Sequence, residues 1–394
     1  MPISLESHTG MTDTRYDFGS GRADPDTFPV EALQVAARQA IEEEAVALTR
    51  YPGGLGHLGL REAMARREQE REGTAVDPDQ IILTNGSMQA VTLTAQTLQE
   101  APGDTVIVEE FSYPGTRAAY RSLKLRMEGV PVSESGMRLD ALEDRLHSLS
   151  KAGRQAKFIY TISTYQNPTG ATMPKADRLA LIALARRFSV PVIEDNCYAD
   201  VHYEGPVEPA LYSLDDSPAQ IYICSLSKIL GPGLRLGYLI ARSPVRERVL
   251  ENRNDAGGNL LAAAIAAKFY ENGIWQHAAV TNAALKAKRD LLLEGLAEEL
   301  SDTCCWSTPA GGLFVWVRLP EDVDRKKLWA LSQSSGVSYL PGASFHVAAK
   351  DAPYLRLAFG HLSHADIGDG VRVLARCIRK SRQSNAPRDF DSLF

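Results

Sequence analysis

In the stretch SLSKILGPGLRLGY, Ser225 to Tyr238, Lys228 follows two hydroxyls and precedes a glycine-spaced arginine, Arg235, by seven residues. A lysine amine condenses with an aldehyde to form a Schiff base. Once displaced it carries protons, provided that desolvation or nearby cations lower its pKa. Arg235 offers a planar fork of donors matched to a phosphate dianion, and Ser225 offers a hydroxyl to the same group. The segment therefore suits an aldehyde cofactor held by its carbonyl and its phosphate together, and pyridoxal phosphate is such a molecule. Standing alone, a lysine in a chain with 43 Lys+Arg is more often a solvated surface charge.

Further residues supply the rest of that chemistry. In VIEDNCY, Asp195 ends an apolar run and Tyr198 follows three residues later. A carboxylate there can hold a pyridine nitrogen protonated, so that the ring accepts electrons, and the phenol can donate to the ring oxygen. The ordinary alternative for Asp195 is a helix N-cap or a solvated strand end. Asn167, in the turn-forming YQNPTG, can aim its amide at the same oxygen. TNGSMQA leaves a strand and opens a helix, so its free amides and the Ser87 hydroxyl form a phosphate cradle or a simple cap. Tyr113, after EEFSYPG, is placed to stack on a flat ring or to pack. Arg356, among the apolar residues of YLRLAFG, needs an anion: a substrate α-carboxylate or a structural acid. Tyr51 begins the Gly-rich RYPGGLGHLGLREA, where loop packing is the plain reading; GLGHLG follows no convincing strand and fits no dinucleotide fingerprint.

These residues need a scaffold, and the pattern of the chain supplies one. Runs rich in Val and Ile (QIILTN, DTVIVEE, AKFIYTIS, VPVIEDN, AQIYICS, LRLGYLIA) alternate with amphipathic stretches. Strands covered by helices on both faces imply an α/β fold with a mostly parallel sheet, whose ligand sites gather at the carboxyl ends of the strands. In KADRLALIALARRF the helical spacing sets Leu179, Ile182, Ala183 and Arg186 on one face. From about residue 285 a long charged helix, strand-like segments and a last helix near Ser363 to Lys380 predict a second, smaller α+β lobe.

Composition narrows the function classes. With 394 residues, 44% of them hydrophobic, the chain can bury a large two-lobed core. A net charge of -6 disfavours a general grip on nucleic acid or an anionic membrane, so small ligands are the expected partners. Five cysteines without a CxxC fit reduced thiols, and no run is apolar enough to span a bilayer. A cytoplasmic protein is the expectation, with SRQSNAPRDFDSLF as a polar tail.

Taken together, DFGSGRADPDTFP, YPGGLGHLGLREA, TNGSMQA, NPTG, EDNCY, SLSKILGPGLRLGY, PAGGLF, PGASFH and YLRLAFG, spanning about residues 16 to 380, resemble the fold-type I pyridoxal-phosphate enzymes of the class I/II aminotransferase group. Within that group the chain is most similar to 2-aminoadipate and kynurenine aminotransferases and to the aminotransferase-like domains of MocR regulators. The resemblance implies a seven-stranded large domain over 51–284, a small domain over 285–380, an N-terminal segment, 1–50, packing with the small domain, and a tail over 381–394. It implies Lys228 as the Schiff-base lysine, Asp195 as the pyridinium partner, Asn167 and Tyr198 at the ring oxygen and Tyr113 stacked on the ring. Ser87, the Met88 amide, Ser225, Arg235 and, more weakly, Ser227 would hold the phosphate, with Tyr51 joining from the second subunit of a homodimer. Arg356 would clamp the α-carboxylate near Gly21. Arg22 stands where many relatives carry a small or apolar residue and is either a partner for a distal carboxylate or a surface charge; the turn from Gly257 to Leu260 falls near the substrate or the dimer contact. The implied reaction is transamination between an L-amino acid and a 2-oxo acid through a quinonoid and a ketimine. Elimination, replacement or cyclisation on the same cofactor is the alternative, and a ligand-sensing domain without catalysis is a third reading.

Overall fold

The structure, a computed structural model, describes residues 14–271 and 273–382. The polar tail beyond residue 382 and the first thirteen residues lie outside the described residues. Seven strands form the central sheet: β2 (Ile81–Thr84), β3 (Thr105–Glu109), β4 (Arg126–Val130), β5 (Ala156–Thr161), β6 (Val192–Asp195), β7 (Gln220–Ser225) and β8 (Gly237–Ile240), after a short β1 (Tyr16–Asp17). Their order is β2-β8-β7-β6-β5-β3-β4, and β8 alone runs against its neighbours. The other six therefore end on one edge of the sheet, as the alternation of strand and helix requires.

Period-two alternation sorts the strand side chains between two layers. Ile82, Val106, Val108, Phe158, Tyr160, Ile193 and Ile223 pack against Ala90, Val91 and Tyr120. These last belong to helices following β2 and β3 (Ser87–Leu98 and Pro114–Ser122). On the opposite face Ile81, Leu83, Tyr222 and Tyr238 meet helices Leu58–Glu72 and Leu260–Glu271, while Ile107, Ile159 and Val192 meet Leu139–Lys151 and Lys175–Arg187. Both faces are covered, which is why these strands read as continuous apolar runs.

Helix Lys175–Arg187 is rotated from the expected face. Leu179, Ala183 and Arg186 are exposed, while Arg178, Leu181, Ile182, Leu184 and Ala185 are buried. The cause is Arg178, whose Nη1 lies 3.2 Å from Glu194 Oε1 on β6, with both side chains inside the protein.

The long helix Ile274–Leu300 starts about three helical turns before the charged stretch that announces it in the sequence. It links the layers: Ile274 and Ala278 pack in the large lobe, and Leu292, Leu296 and Leu300 in the small one. The small lobe carries an antiparallel sheet of β9 (Cys305–Trp306), β10 (Phe314–Arg318), β12 (Leu340–Pro341) and β13 (Tyr354–Ala358), covered by helix His364–Ser381. Residues 14–50 divide between the lobes. β1 pairs in parallel with β11 (Val337–Ser338) of the small lobe, whereas helix Val30–Glu44 buries Ala36 and Ala40, Ala36 lying against the large lobe.

Candidate active site

The carboxyl edge of the sheet gathers residues from distant parts of the chain. Asp195 is the last residue of β6 and is buried; its Oδ2 accepts from the Tyr160 hydroxyl at 2.6 Å and its Oδ1 from the Cys197 thiol at 2.6 Å. Burial raises its pKa, and the donors from Cys197 and Tyr160 with the charge of Lys228 oppose that rise.

Next to it, Asn167 leaves the turn after β5 through a cis peptide to Pro168. Its Nδ2 donates to the Tyr198 hydroxyl at 3.3 Å, and its Oδ1 accepts from Arg356 Nη1 at 3.1 Å. Gln166 braces this turn: its amide donates to Glu109 Oε2 at 2.9 Å and to the Phe111 carbonyl at 2.7 Å, and its Oε1 accepts from the Thr169 amide at 2.9 Å. Glu109 is fully buried and its carboxyl is pushed up to about 7 by that burial.

Lys228 follows β7 in a short 3-10 turn whose cap is Ser225; the Ser225 Oγ accepts from the Ser227 amide at 3.2 Å. The lysine Nζ donates to the Gly21 carbonyl at 2.8 Å and lies 5.8 Å from the centroid of the Tyr198 ring. A Cβ on Gly21 would come within 2.9 Å of the Phe314 ring, so the N-terminal strip approaches this closely only as glycine. Lys228, Gly21, Tyr198, Asn167 and Arg356 thus form one contiguous group.

Arg356, on β13, is only 3% exposed and has no carboxylate partner among the described residues. It donates to Asn167 and to the Gly19 carbonyl, its Nε is buried without an acceptor, and its guanidinium lies over the Phe314 ring at 4.2 Å. Burial pushes its pKa down to about 10. A desolvated cation lacking a counterion is an anion site in waiting.

A second group faces helix Ser87–Leu98. Its N-cap, Gly86, has φ of 75° and offers no side-chain cap, which leaves the first amides of the helix to another acceptor. A Cβ at Gly86 would sit 2.5 Å from Arg235 Nη2. The Arg235 guanidinium, exposed, reaches only the Pro232 and Asn85 carbonyls, at 3.4 and 3.3 Å, among the described residues. Met88 is half-buried in the first turn of the same helix. Tyr113 caps helix Pro114–Ser122, with its ring over Gly115, where a Cβ would be 2.5 Å away.

Two expected residues stand apart from these groups. Tyr51 is 87% exposed. Arg22 turns toward Asp17 Oδ2 and Ser20 Oγ, at 3.2 and 3.3 Å, with its side chain 62% exposed. Conversely, Tyr160, Thr116, Cys197, Gln166 and Glu109 were not singled out from sequence. Tyr160 alone gave a signal: period two from Phe158 and Ile162 buries its hydroxyl, and a buried phenol requires a partner.

The set is two cations, Lys228 and Arg356, one buried carboxylate, two phenols, one amide and an open helix N-terminus beside the Arg235 guanidinium. It fits an aromatic nitrogen base carrying an aldehyde and a phosphate, on a sheet of the fold-type I topology. Sequence and structure comparisons agree with that class. The family model described as Aminotransferase class I and II matches residues 16–374, and the chain belongs to this family of pyridoxal-phosphate-dependent aminotransferases acting on α-amino acids. It is 34% identical over 361 residues, 90% of this chain and 86% of the relative, to aromatic-amino-acid aminotransferase 1 of Thermococcus litoralis. The multiple substrate aminotransferase of Thermococcus profundus superposes with a TM-score of 0.90 at 32% identity over 96% of each chain. The α-aminoadipate aminotransferase LysN of Thermus thermophilus, solved with N-(5'-phosphopyridoxyl)-L-leucine, gives 0.86 at 27% identity over 93% of this chain and 92% of its own.

Proposed function

We propose that Lys228 is the catalytic amine, that Asp195, Asn167, Tyr198 and Tyr113 hold the cofactor ring, and that Arg356 binds the α-carboxylate of an L-amino acid. The amides of Ser87 and Met88, the hydroxyls of Ser87, Ser225 and Ser227, and the Arg235 guanidinium hold its phosphate. Bound there, pyridoxal phosphate supplies an aldehyde carbon that condenses with amines and a ring that stores an electron pair.

The chain's own residues do the remaining work. Asp195, anchored through both oxygens, keeps a positive charge on the ring nitrogen. The Asn167 amide and the Tyr198 hydroxyl converge where a ring oxygen would lie and stabilise negative charge there. Arg356 would orient the substrate so that its Cα faces Lys228 Nζ, the base placed to take and carry the Cα proton. The single observation that carries this reading is the buried, counterion-free Arg356 hydrogen-bonded to Asn167.

The name of the Thermococcus litoralis relative supports a donor with an aromatic side chain, and the acceptor in this reading is a 2-oxo acid. The rings of Phe314 and Phe345 flanking Arg356, at 4.2 and 5.2 Å, support the same class. Arg22, already engaged by Asp17, serves acidic side chains only if that pair opens. We also assign the active unit as a homodimer in which Tyr51 reaches the neighbouring phosphate. The exposure of Tyr51, with Val35, Ile41, Val46, Leu58 and Leu261 on the segments around it, supports this.

The test is a spectral half-reaction screen. The holoenzyme is mixed with each common L-amino acid while the cofactor band near the visible edge is followed. Aromatic and apolar amino acids should bleach it and yield their 2-oxo acids, and borohydride should fix the cofactor to Lys228. A band indifferent to every amino acid, or an adduct at another lysine, would refute the assignment.

A further inference from the structure

Behind Asp195, away from Lys228, lies a polar line that the roles above leave unused. The Tyr160 hydroxyl, fully buried in β5, donates to Asp195 Oδ2 at 2.6 Å. It lies 3.0 Å from the Thr116 Oγ1 on helix Pro114–Ser122. An ionised carboxylate only accepts, so the phenol's single proton points at Asp195 and its lone pair receives the Thr116 proton. The order Thr116 to Tyr160 to Asp195 is therefore set by donor counting. Thr116 stands one helical turn beyond Tyr113, and the same helix thereby tethers the ring-stacking residue and the carboxylate's support. The Tyr160 ring is itself held edge-on by Tyr120, with centroids 5.8 Å apart.

From this juxtaposition we propose that Tyr160, relayed by Thr116, is a positioning residue that fixes Asp195 in its charged form and aims it at the cofactor's ring nitrogen. The inference rests on the assignment of Asp195 to that nitrogen. Asp195 is wholly buried at a strand end. It meets three hydrogen-bond donors, the Tyr160 hydroxyl and the thiol and backbone amide of Cys197, and one charge of opposite sign, Lys228, while the carboxyl of Glu109 faces the same region. Burial disfavours its ionisation, so each donor lost moves the carboxyl toward its neutral form. The Cys197 thiol holds Oδ1, so Tyr160 is the side-chain donor that holds Oδ2.

The prediction separates this role from simple packing by using two ligands. Apoenzyme is titrated with pyridoxal phosphate and with its 1-deaza analogue, in which a C–H replaces the ring nitrogen, while protein fluorescence is followed. Wild type should prefer the natural cofactor, and Asp195→Ala should abolish the preference. Tyr160→Phe should weaken pyridoxal phosphate about tenfold at neutral pH, as expected for one hydrogen bond to a charged group. Its affinity for the deaza analogue should stay within about twofold, and the deficit should shrink as rising pH ionises Asp195. Equal losses for both ligands, or no loss for either, would overturn the proposal. Thr116→Val, a milder change, should show the same selectivity at about threefold, and a non-selective loss there counts equally against it. If Asp195→Ala keeps the wild-type preference, the assignment of Asp195 itself fails; if it loses the preference and Tyr160→Phe does not, only the role of Tyr160 fails.

Discussion

At the residue scale, charge without a counterion decides most of the site. Arg356 is buried under Phe314 and Phe345 with an unpaired Nε, an arrangement that is unfavourable until an anion arrives. Replacing it with alanine removes two charge-assisted hydrogen bonds to substrate, each worth about 1.5–3 kcal/mol. Arg356→Ala should thus lower kcat/KM for amino acids by about a hundredfold or more, mostly through KM, while the cofactor band stays intact. Steady-state kinetics beside an absorbance spectrum checks this, and an unchanged KM would remove Arg356 from the substrate site. Residues of this kind are legible in a sequence because a charge among apolar neighbours demands a partner. Lys228, Asp195 and Arg235 stand out for the same reason, together with their short spacing to hydroxyls and glycines. Tyr160 shows only as a buried phenol in need of a partner, since its acceptor becomes its neighbour only once β5 and β6 lie side by side, paired from Ile159 with Val192 onward.

At the element scale, the strands were readable and one helix face was not. Strands buried on both sides declare themselves as apolar runs, and their carboxyl ends carry Ser87, Tyr113, Asn167, Asp195 and Lys228 into one place. Helix Lys175–Arg187 misleads because apolarity alone locates its buried face wrongly. Arg178 is drawn inward by Glu194, and it further donates to the Met173 carbonyl at 2.7 Å and to Thr164 Oγ1 at 2.9 Å. The same pair makes a firm prediction for stability. Arg178→Met leaves the Glu194 carboxylate buried without its cation and should cost about 3–5 kcal/mol near pH 8. Glu194 already has its carboxyl pushed up to about 7 by burial. A group raised in the fold contributes stability that is complete below its unfolded value and is lost as pH rises through the folded one. The variant's deficit should therefore shrink toward pH 5.5, where Glu194 is neutral in both proteins. Denaturant unfolding at the two pH values measures it, and coincident midpoints at pH 8 would show that the pair carries no net stability.

At the scale of the whole molecule, the outlying position of Tyr51 has to be reconciled with a site that otherwise closes on itself. A tyrosine 87% exposed, on a Gly-rich turn whose flanking segments expose Val46 and Leu58, does nothing for the fold of one subunit. In the proposed two-fold dimer the same patch would meet itself, and each subunit would lend its Tyr51 to the other's phosphate, beside that subunit's Arg235. This arrangement has a consequence that a monomer cannot reproduce. Tyr51→Ala and Lys228→Ala, each expressed alone, should leave little activity, the first through weakened cofactor binding and the second through the lost amine. Co-expressed, they form mixed dimers in which one site carries both lesions and the other carries neither. Random pairing then restores about a quarter of the wild-type activity per subunit. Placing both substitutions in one chain and pairing it with wild type gives a different pattern, since every site of the mixed dimer then holds one lesion. Purifying the mixed species by two affinity tags and assaying it decides the matter: activity from the first pairing and not from the second requires Tyr51 to act across the interface, whereas activity from the second and not from the first would return it to its own subunit's loop.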